Sequence, residues 1–227
     1  MTIGEGVSSR SARSTTGKPV PDVSLGAILL AGGRASRVGG AVKPLFDVGG
    51  TTLLAAAVSA AAAAGARPIT VVGPALDPAL DVHWVAEDEP FGGPAAAAIA
   101  GLATWDTSHR DPDWTLILAC DLPGIGAAVP HLVRDIMLVP SDTDGVCLGD
   151  GASRPQWLIG AYRTGALRHA ASALPDRGRN APVRSLLHDL AIAVVAAPGD
   201  LTRDVDTWQD LEQARANASR REAEESS

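Results

Sequence analysis

The apolar run Gly26-Ala27-Ile28-Leu29-Leu30 leads directly into Ala31-Gly32-Gly33-Arg34-Ala35-Ser36-Arg37-Val38-Gly39-Gly40-Ala41-Val42-Lys43. The run has the composition of a buried strand, and the segment from Arg34 to Lys43 carries three cations and no acid. Paired glycines let backbone N–H groups approach phosphate oxygens, and the cations neutralise their charge. The pattern predicts a phosphate-binding loop, although it matches neither a P-loop nor the Gly-x-Gly-x-x-Gly pattern.

Strand-like and helix-like segments alternate along the rest of the chain. The β-rich runs are 26–30, 69–72, 82–85, 114–119, 145–148, 157–162 and 192–195. The helix-like segments are 53–64, 94–104, 130–139, 164–174, 183–190 and 207–217. Such alternation gives βαβ units with right-handed crossovers, and ligands then bind at the carboxyl ends of the strands. It predicts an α/β fold with three layers and a mostly parallel sheet.

Length and composition favour one folded domain. A chain of 227 residues with 46% hydrophobic side chains can bury one sizeable core. The polar, aperiodic ends 1–22 and 216–227 are expected to be disordered tails around a domain at 23–215. Aromatic residues make up only 4%, which suits helices that cover a sheet.

Charge and cysteine content exclude several classes of protein. A net charge of -7 opposes nonspecific nucleic-acid binding, which needs a basic surface. Cys120 and Cys147 are the two cysteines, too few for a disulfide framework or a closed zinc site. No segment has the length and apolar content of a signal peptide or a membrane span. We expect a cytoplasmic protein without nucleic-acid or membrane partners.

A second candidate site follows the strand 114–119, which ends at Cys120-Asp121-Leu122-Pro123. An aspartate at this position either caps the turn or binds a metal. Mg²⁺ is held by one or two carboxylates together with substrate phosphates, so one aspartate suffices chemically. The thiol beside it is expected to be a small buried side chain rather than a nucleophile.

The glycine-rich segment resembles the signature of the molybdenum cofactor guanylyltransferases, a family of Rossmann-like nucleotidyltransferases. Leu30-Ala31-Gly32-Gly33, Arg37, Gly39 and Lys43 match its Leu-Ala-Gly-Gly, Arg-Met-Gly and Asp-Lys elements. Val38 stands where the family has Met, and Val42 where it has Asp. The missing carboxylate leaves open what surrounds Lys43.

The resemblance extends over most of the folded region. Glu87-Asp88 with Gly92-Gly93-Pro94 resembles the family's nucleoside-binding segment, and Cys120-Asp121-Leu122-Pro123 is similar to Cys-Asp-x-Pro, whose Asp holds the catalytic magnesium. Arg154-Pro155-Gln156 with Tyr162-Arg163 resembles part of the acceptor half. Asp204-Val205-Asp206-Thr207 resembles the closing motif, where Thr207 and Asp210 also have capping-box spacing. Asp206 is therefore a weaker candidate for the site.

The resemblance implies transfer of GMP from GTP to molybdopterin cofactor with release of pyrophosphate. Lys43, Arg37 and Asp121 are the implied catalytic residues, and Asp121 is the implied Mg²⁺ ligand. The implied nucleotide-binding residues are Leu30, Ala31, Gly32, Gly33, Lys43, Asp88, Gly93 and Asp121. A molybdoenzyme or a cofactor-insertion protein is a further implied partner.

Three alternatives remain open on the sequence. One is a nucleotidyltransferase for another base or acceptor, such as a cytidylyltransferase, in whose family Ala is more usual at the position of Gly32. The second is a non-catalytic nucleotide-binding relative, which the loss of an acid at Val42 would suit. The third, a dinucleotide-binding oxidoreductase, is disfavoured because Gly-x-Gly-x-x-Gly is missing.

Overall fold

The structure is a computed structural model, and it describes residues 23–32, 40–86, 92–105, 111–197 and 199–225. Its strands are β1 Leu25–Leu30, β2 Asp47–Val48, β3 Thr51–Thr52, β4 Ile69–Val72, β5 His83–Val85, β6 Trp114–Ala119, β7 Gly145–Gly149, β8 Pro155–Arg163 and β9 Ile192–Ala196. Its α-helices are α1 Leu53–Ala63, α2 Pro94–Ala103, α3 Ile125–Ile136, α4 Thr164–Ala173, α5 Val183–Leu187 and α6 Trp208–Glu225. Short 3₁₀ segments occupy Lys43–Leu45 and Pro175–Gly178.

Seven strands form one sheet in the order β5-β4-β1-β6-β8-β7-β9. β8 runs antiparallel to both of its neighbours, and the other neighbouring pairs are parallel. Leu30 is in register with Val72 on one side and with Ala119 on the other. The carboxyl ends of β1, β4 and β6 therefore lie level at one edge. The predicted α/β fold with a mostly parallel sheet is confirmed.

Helices cover both faces of the sheet. Ala27 and Leu29 of β1 pack in the cluster that contains α1 and α3, whereas Ile28 and Leu30 pack in the cluster that contains α2 and α5. Successive side chains of a strand point to opposite faces, so every residue of a strand covered on both sides is buried. All six residues of β1 are buried. This uninterrupted apolar run is the signal by which residues 26–30 were predicted to form a strand.

Helix α3 begins five residues earlier than predicted. The predicted helix-like segment started at Pro130. Instead α3 begins at Ile125, and Pro130 lies inside it on an exposed face. An apolar stripe that includes Ile125, Val129 and Leu132 is buried against the sheet and outweighs one lost backbone hydrogen bond.

The predicted disorder of residues 216–227 is wrong for most of that segment, because α6 continues to Glu225. Its second half is polar but rich in good helix formers, and Gln213 Nε2 donates to Asn217 Oδ1 one turn later, at 2.9 Å. Residues 1–22, predicted to form the other tail, lie outside the described residues. Among the helices of the described ranges, none combines the length and apolar content of a membrane span.

Candidate active site

Two predicted site segments meet at the level edge of the sheet. Ala31 follows β1 and donates its N–H to the Val72 carbonyl at 3.0 Å, and Cys120 follows β6 and donates to the Leu30 carbonyl at 3.3 Å. Gly32 and Asp121, one residue further on, therefore leave the sheet side by side. Gly73, at the end of β4, approaches closely: a Cβ there would lie 3.1 Å from the Gly32 nitrogen. Its φ of +141° also requires glycine.

The backbone of Lys43 is fixed by a short 3₁₀ helix. The Leu45 N–H donates to the Val42 carbonyl and the Phe46 N–H donates to the Lys43 carbonyl, both at 2.9 Å. Pro44 fits the first turn of such a helix because it has no N–H to leave unpaired. The Phe46 carbonyl then accepts from Leu53 at 3.0 Å, which ties the turn to the start of α1. These hydrogen bonds thus fix the position of the Lys43 backbone.

The Lys43 ammonium points into a group of carboxylates. Its Nζ lies 2.5 Å from Asp206 Oδ1 and 3.9 Å from Asp121 Oδ2. The Lys43 side chain is 15% exposed, and those of Asp121 and Asp206 are 28% and 37% exposed. The structure therefore brings together Lys43 and Asp121, two of the three predicted catalytic residues.

Three carboxylates, those of Asp121, Asp204 and Asp206, form what we call the carboxylate cluster. One oxygen from each lies within 4.8 Å of the others. The Val205 N–H donates to the Asp121 carbonyl at 3.0 Å, which holds the segment 204–206 against the end of β6. Oxygen ligands at such spacing suit a hard divalent cation such as Mg²⁺. The donor set therefore fits the metal that the sequence implied.

The environment of Asp121 raises its pKa from 3.8 to about 6. Burial is the main cause, and the negative charges of Asp204 and Asp206 act in the same direction, while Lys43 opposes them. Crowded carboxylates retain a proton more strongly when too little positive charge is present. The same crowding favours binding of an additional cation.

Cys120, next to Asp121, has no features of a nucleophile. The side chain is 2% exposed, and burial together with the Asp121 charge raises the thiol pKa far above its ordinary value. A reactive cysteine needs the opposite shift, because the thiolate is the nucleophile. The prediction of a small buried side chain is confirmed.

Asp204 was missed by the sequence reasoning, which selected only Asp206. A usable signal was present in Asp204-Val205-Asp206, because alternate residues of an extended segment point to the same side. Val205 is 1% exposed and packs in a small apolar cluster with Leu53 and Leu211. Burial of Val205 on one side turns both acids toward Asp121 on the other.

The capping box predicted at the start of α6 is confirmed. The Thr207 N–H donates to Asp210 Oδ2 at 2.8 Å, and the Asp210 N–H donates to Thr207 Oγ1 at 3.2 Å. These reciprocal bonds satisfy backbone N–H groups that lack a partner at a helix start. Asp206 immediately precedes the box, so the cap also fixes the position of that carboxylate.

The remaining predicted residues fall into two groups. Gly33, Arg37 and Asp88 lie outside the described residues. Gly93 is the N-cap of α2 with a φ of +92°, and a Cβ there would lie 3.2 Å from the Ala181 carbonyl oxygen. Its requirement for glycine is thus explained by backbone conformation and close packing, and its contact with a nucleotide stays a prediction.

The two segments that resemble part of the acceptor half of the family fold, 154–156 and 162–163, lie at opposite ends of β8. Arg163 ends the antiparallel strand β8, at the edge opposite Asp121, where its guanidinium lies 4.7 Å from the Trp114 ring centroid. Arg154 lies at the same edge as Asp121, in the turn between β7 and β8. Asp150 closes that turn: its Oδ1 accepts from the N–H groups of Ala152 and Arg154, each at 2.9 Å.

The sequence profile of the MobA-like NTP transferase domain matches residues 27–197, most of the chain. The chain belongs to the MobA-like NTP transferase family. It is accordingly an enzyme of the nucleotidyltransferase class. Lys43 and Asp121 lie inside the region that matches the family, whereas Asp204 and Asp206 lie beyond its end.

Two relatives within this family are named as guanylyltransferases. A probable molybdenum cofactor guanylyltransferase of Synechococcus elongatus is 34% identical over 152 residues, which is 62% of this chain and 73% of that protein. A molybdenum cofactor guanylyltransferase of Rhodopseudomonas palustris strain HaA2 is 31% identical over 218 residues, covering 92% of this chain and 97% of that protein.

Two solved structures show that the fold of this chain occurs in other proteins. Molybdopterin-guanine dinucleotide biosynthesis protein A from Archaeoglobus fulgidus has a TM-score of 0.62 at 15% identity, covering 86% of this chain and 98% of that one. Rv0371c from Mycobacterium tuberculosis has a TM-score of 0.63 at 23% identity, with the same two coverages. A further crystal structure of Rv0371c is a complex with manganese. At these identities the similarity concerns the fold alone.

Proposed function

We propose that the protein transfers GMP from GTP to molybdopterin cofactor and releases pyrophosphate. The observation that carries the proposal is the position of Lys43 and the carboxylate cluster, at the edge where β1 passes into the glycine-rich segment. The guanine base and the acceptor rest on the relatives, since proteins named molybdenum cofactor guanylyltransferases match this chain over up to 92% of its length.

The reaction balances without a general base. An oxygen of the acceptor's terminal phosphate attacks the α-phosphorus of GTP, and the bond from that phosphorus to the β-phosphate oxygen breaks. A phosphoanhydride forms, and pyrophosphate leaves. Because the nucleophile is already an anion, the barrier is mainly the cost of bringing anions together and holding the triphosphate in line.

The residues of the glycine-rich segment and its neighbours then have separate tasks. Lys43 and Arg37 hold phosphate oxygens, and Gly32 and Gly33 donate backbone N–H groups to them. Asp88 and Gly93 lie beside the nucleoside. These assignments follow from the family resemblance and, for Lys43 and Arg37, also from their positive charge.

Asp121, with Asp204 and Asp206 beside it, would hold Mg²⁺. When bound, Mg²⁺ neutralises phosphate charge and orients the triphosphate. The cluster offers three carboxylates, whereas magnesium in such sites takes one or two together with substrate phosphates. We assign Asp121 as the principal ligand because it lies deepest, at the end of β6. We also expect a cytoplasmic location and a molybdoenzyme or cofactor-insertion protein as the recipient of the product.

The experiment combines nucleotide binding with product detection. Melting temperatures are measured with GTP, CTP, ATP and UTP in the presence of Mg²⁺, and pyrophosphate and the nucleotide adduct are measured with molybdopterin cofactor as acceptor. We expect the largest shift, and the adduct, with GTP. An equal or larger shift with CTP and a CMP adduct would assign the cytidylyl reaction instead. Stabilisation by nucleotide without pyrophosphate release would support a non-catalytic relative.

A further inference from the structure

The Lys43 ammonium lies beside the carboxylate oxygens that would be expected to bind a metal ion. It contacts Asp206 at 2.5 Å and faces Asp121 at 3.9 Å, and both carboxylates belong to the carboxylate cluster. The Lys43 side chain is the least exposed of the three, so its charge is directed at the cluster rather than at solvent. The ammonium thus provides a positive charge to the oxygens that are arranged for a divalent cation.

These contacts conflict with the task proposed for Lys43 during the reaction. While the ammonium is paired with Asp206, much of its positive charge is offset by that carboxylate and is less available to a triphosphate. A divalent cation on the same carboxylates would repel an ammonium at this distance, because two cations a few ångströms apart repel each other even where water has access. The two cations therefore compete for the cluster.

We propose that Lys43 is the resident cation of the carboxylate cluster and that a divalent cation displaces it, freeing the ammonium for phosphate. The lysine stem has four flexible carbons and the ammonium has three donors, so the side chain can change partners. The 3₁₀ helix at Lys43–Leu45 keeps the backbone fixed during this change. Displacement itself depends only on the cluster, whereas the destination of the released ammonium rests on the proposed function.

Displacement would couple metal binding to nucleotide binding. Without a divalent cation, Lys43 is engaged and the carboxylates repel a triphosphate. With the cation bound, the ammonium is released and the negative charge of the cluster is largely neutralised. The site then accepts the nucleotide together with its metal far more readily than the nucleotide alone.

The first test measures Mn²⁺ binding in the absence of nucleotide, from the electron paramagnetic resonance signal of free Mn²⁺. Lys43→Met keeps most of the stem and removes the competing charge, so its Kd for Mn²⁺ should be about tenfold lower than that of the wild type. Arg203→Met is the matched control, because it removes an exposed cation next to Asp204 in sequence. Its Kd should change by less than about twofold, as expected for a screened surface charge.

Equal or weaker Mn²⁺ binding by Lys43→Met would overturn the proposal, and so would undetectable binding by both proteins. Binding that is detectable only in Lys43→Met would support it. An equal gain in Arg203→Met would also overturn the proposal, because the effect would then reflect general charge rather than displacement.

The second test observes the lysine in the wild-type protein. The chain contains only two lysines, Lys18 and Lys43, so protein labelled with ¹³C at the lysine ε-carbon gives two lysine signals. The signal missing from Lys43→Met identifies Lys43. It should move on titration with Mg²⁺ at constant ionic strength, and a Lys43 signal that does not move at saturating Mg²⁺ would contradict displacement. If both metal tests succeed but no GMP is transferred, only the proposed function fails.

Discussion

Lys43 and Asp206 form an ion pair across 163 residues of sequence, with Nζ 2.5 Å from Oδ1. The preceding residue is Val42, which is 44% exposed and stands where the guanylyltransferase signature has Asp. The lysine therefore obtains its carboxylate partner from the segment before α6. The C-terminal part of the fold is thus required to complete a site that begins at β1.

Lys43→Ala should reduce turnover by about 10²–10³-fold, the usual effect of removing one group that stabilises transition-state charge. Stability should change little, because partly exposed ion pairs contribute only about 0–1 kcal/mol. The check is the rate of GMP transfer, measured beside the melting temperature. A folded variant with near wild-type turnover would remove this lysine from the catalytic assignment.

Asp121→Asn should shift the dependence of turnover on Mg²⁺ to higher concentration and lower its maximum, because an amide is a poorer ligand for a hard cation. Asp150→Asn is the control: this carboxylate lies at the same edge of the sheet but closes the turn between β7 and β8. Its magnesium curve should match the wild type. Superimposable curves for Asp121→Asn as well would mean that the Asp121 carboxylate is structural.

The raised pKa of Asp121 predicts a pH dependence of stability in metal-free protein. Its folded-state pKa of about 6 lies above the ordinary 3.8, so folding is favoured when the carboxyl is protonated. This contribution is complete below about pH 4 and is lost as the pH rises toward and beyond 6. The wild type minus Asp121→Asn difference in melting temperature, measured with EDTA, should therefore decrease from pH 4.5 to pH 7.5. A constant or increasing difference would contradict it.

Thr207→Ala should lower the free energy of unfolding by about 1 kcal/mol, since it removes the N-cap of α6. Ser219→Ala, on an exposed position inside the same helix, should be neutral or slightly stabilising because alanine is the better helix former. Urea unfolding of both variants measures the difference. Equal changes in the two would argue against a role of the cap in holding α6 and Asp206.

The sequence predicted the buried strands best. β4 and β6 have the predicted bounds because each is a short run of β-branched and apolar residues that ends at a turn. The direction of β8 was not predictable, since alternation along a strand does not depend on which way it runs. The two-residue strands β2 and β3 were missed because they are too short for a period, although Gly49 and Gly50, both with positive φ, are typical of a tight hairpin.

The site residues that belong to local sequence motifs were predicted, whereas the contacts between distant segments of the chain were missed. Lys43 and Asp121 were each selected from their own neighbours in sequence. The Lys43–Asp206 contact and the inclusion of Asp204 depend on how the segment 204–206 packs against the end of β6, which a local pattern does not contain. The buried Val205 was the one accessible sign of that packing.

The turn between β7 and β8 is closed by its own hydrogen bonds to Asp150 and begins and ends at the paired residues Gly149 and Pro155. Lengthening or replacing it would leave the register of β1 with β6 intact, and with it the positions of Gly32 and Asp121. At this edge of the sheet, an insertion at the ends of β1 or β6 would move Gly32 or Asp121. The turn between β7 and β8, in contrast, can be exchanged as a unit. A turn of different length or sequence could therefore be introduced here without moving the segments that carry Gly32 and Asp121.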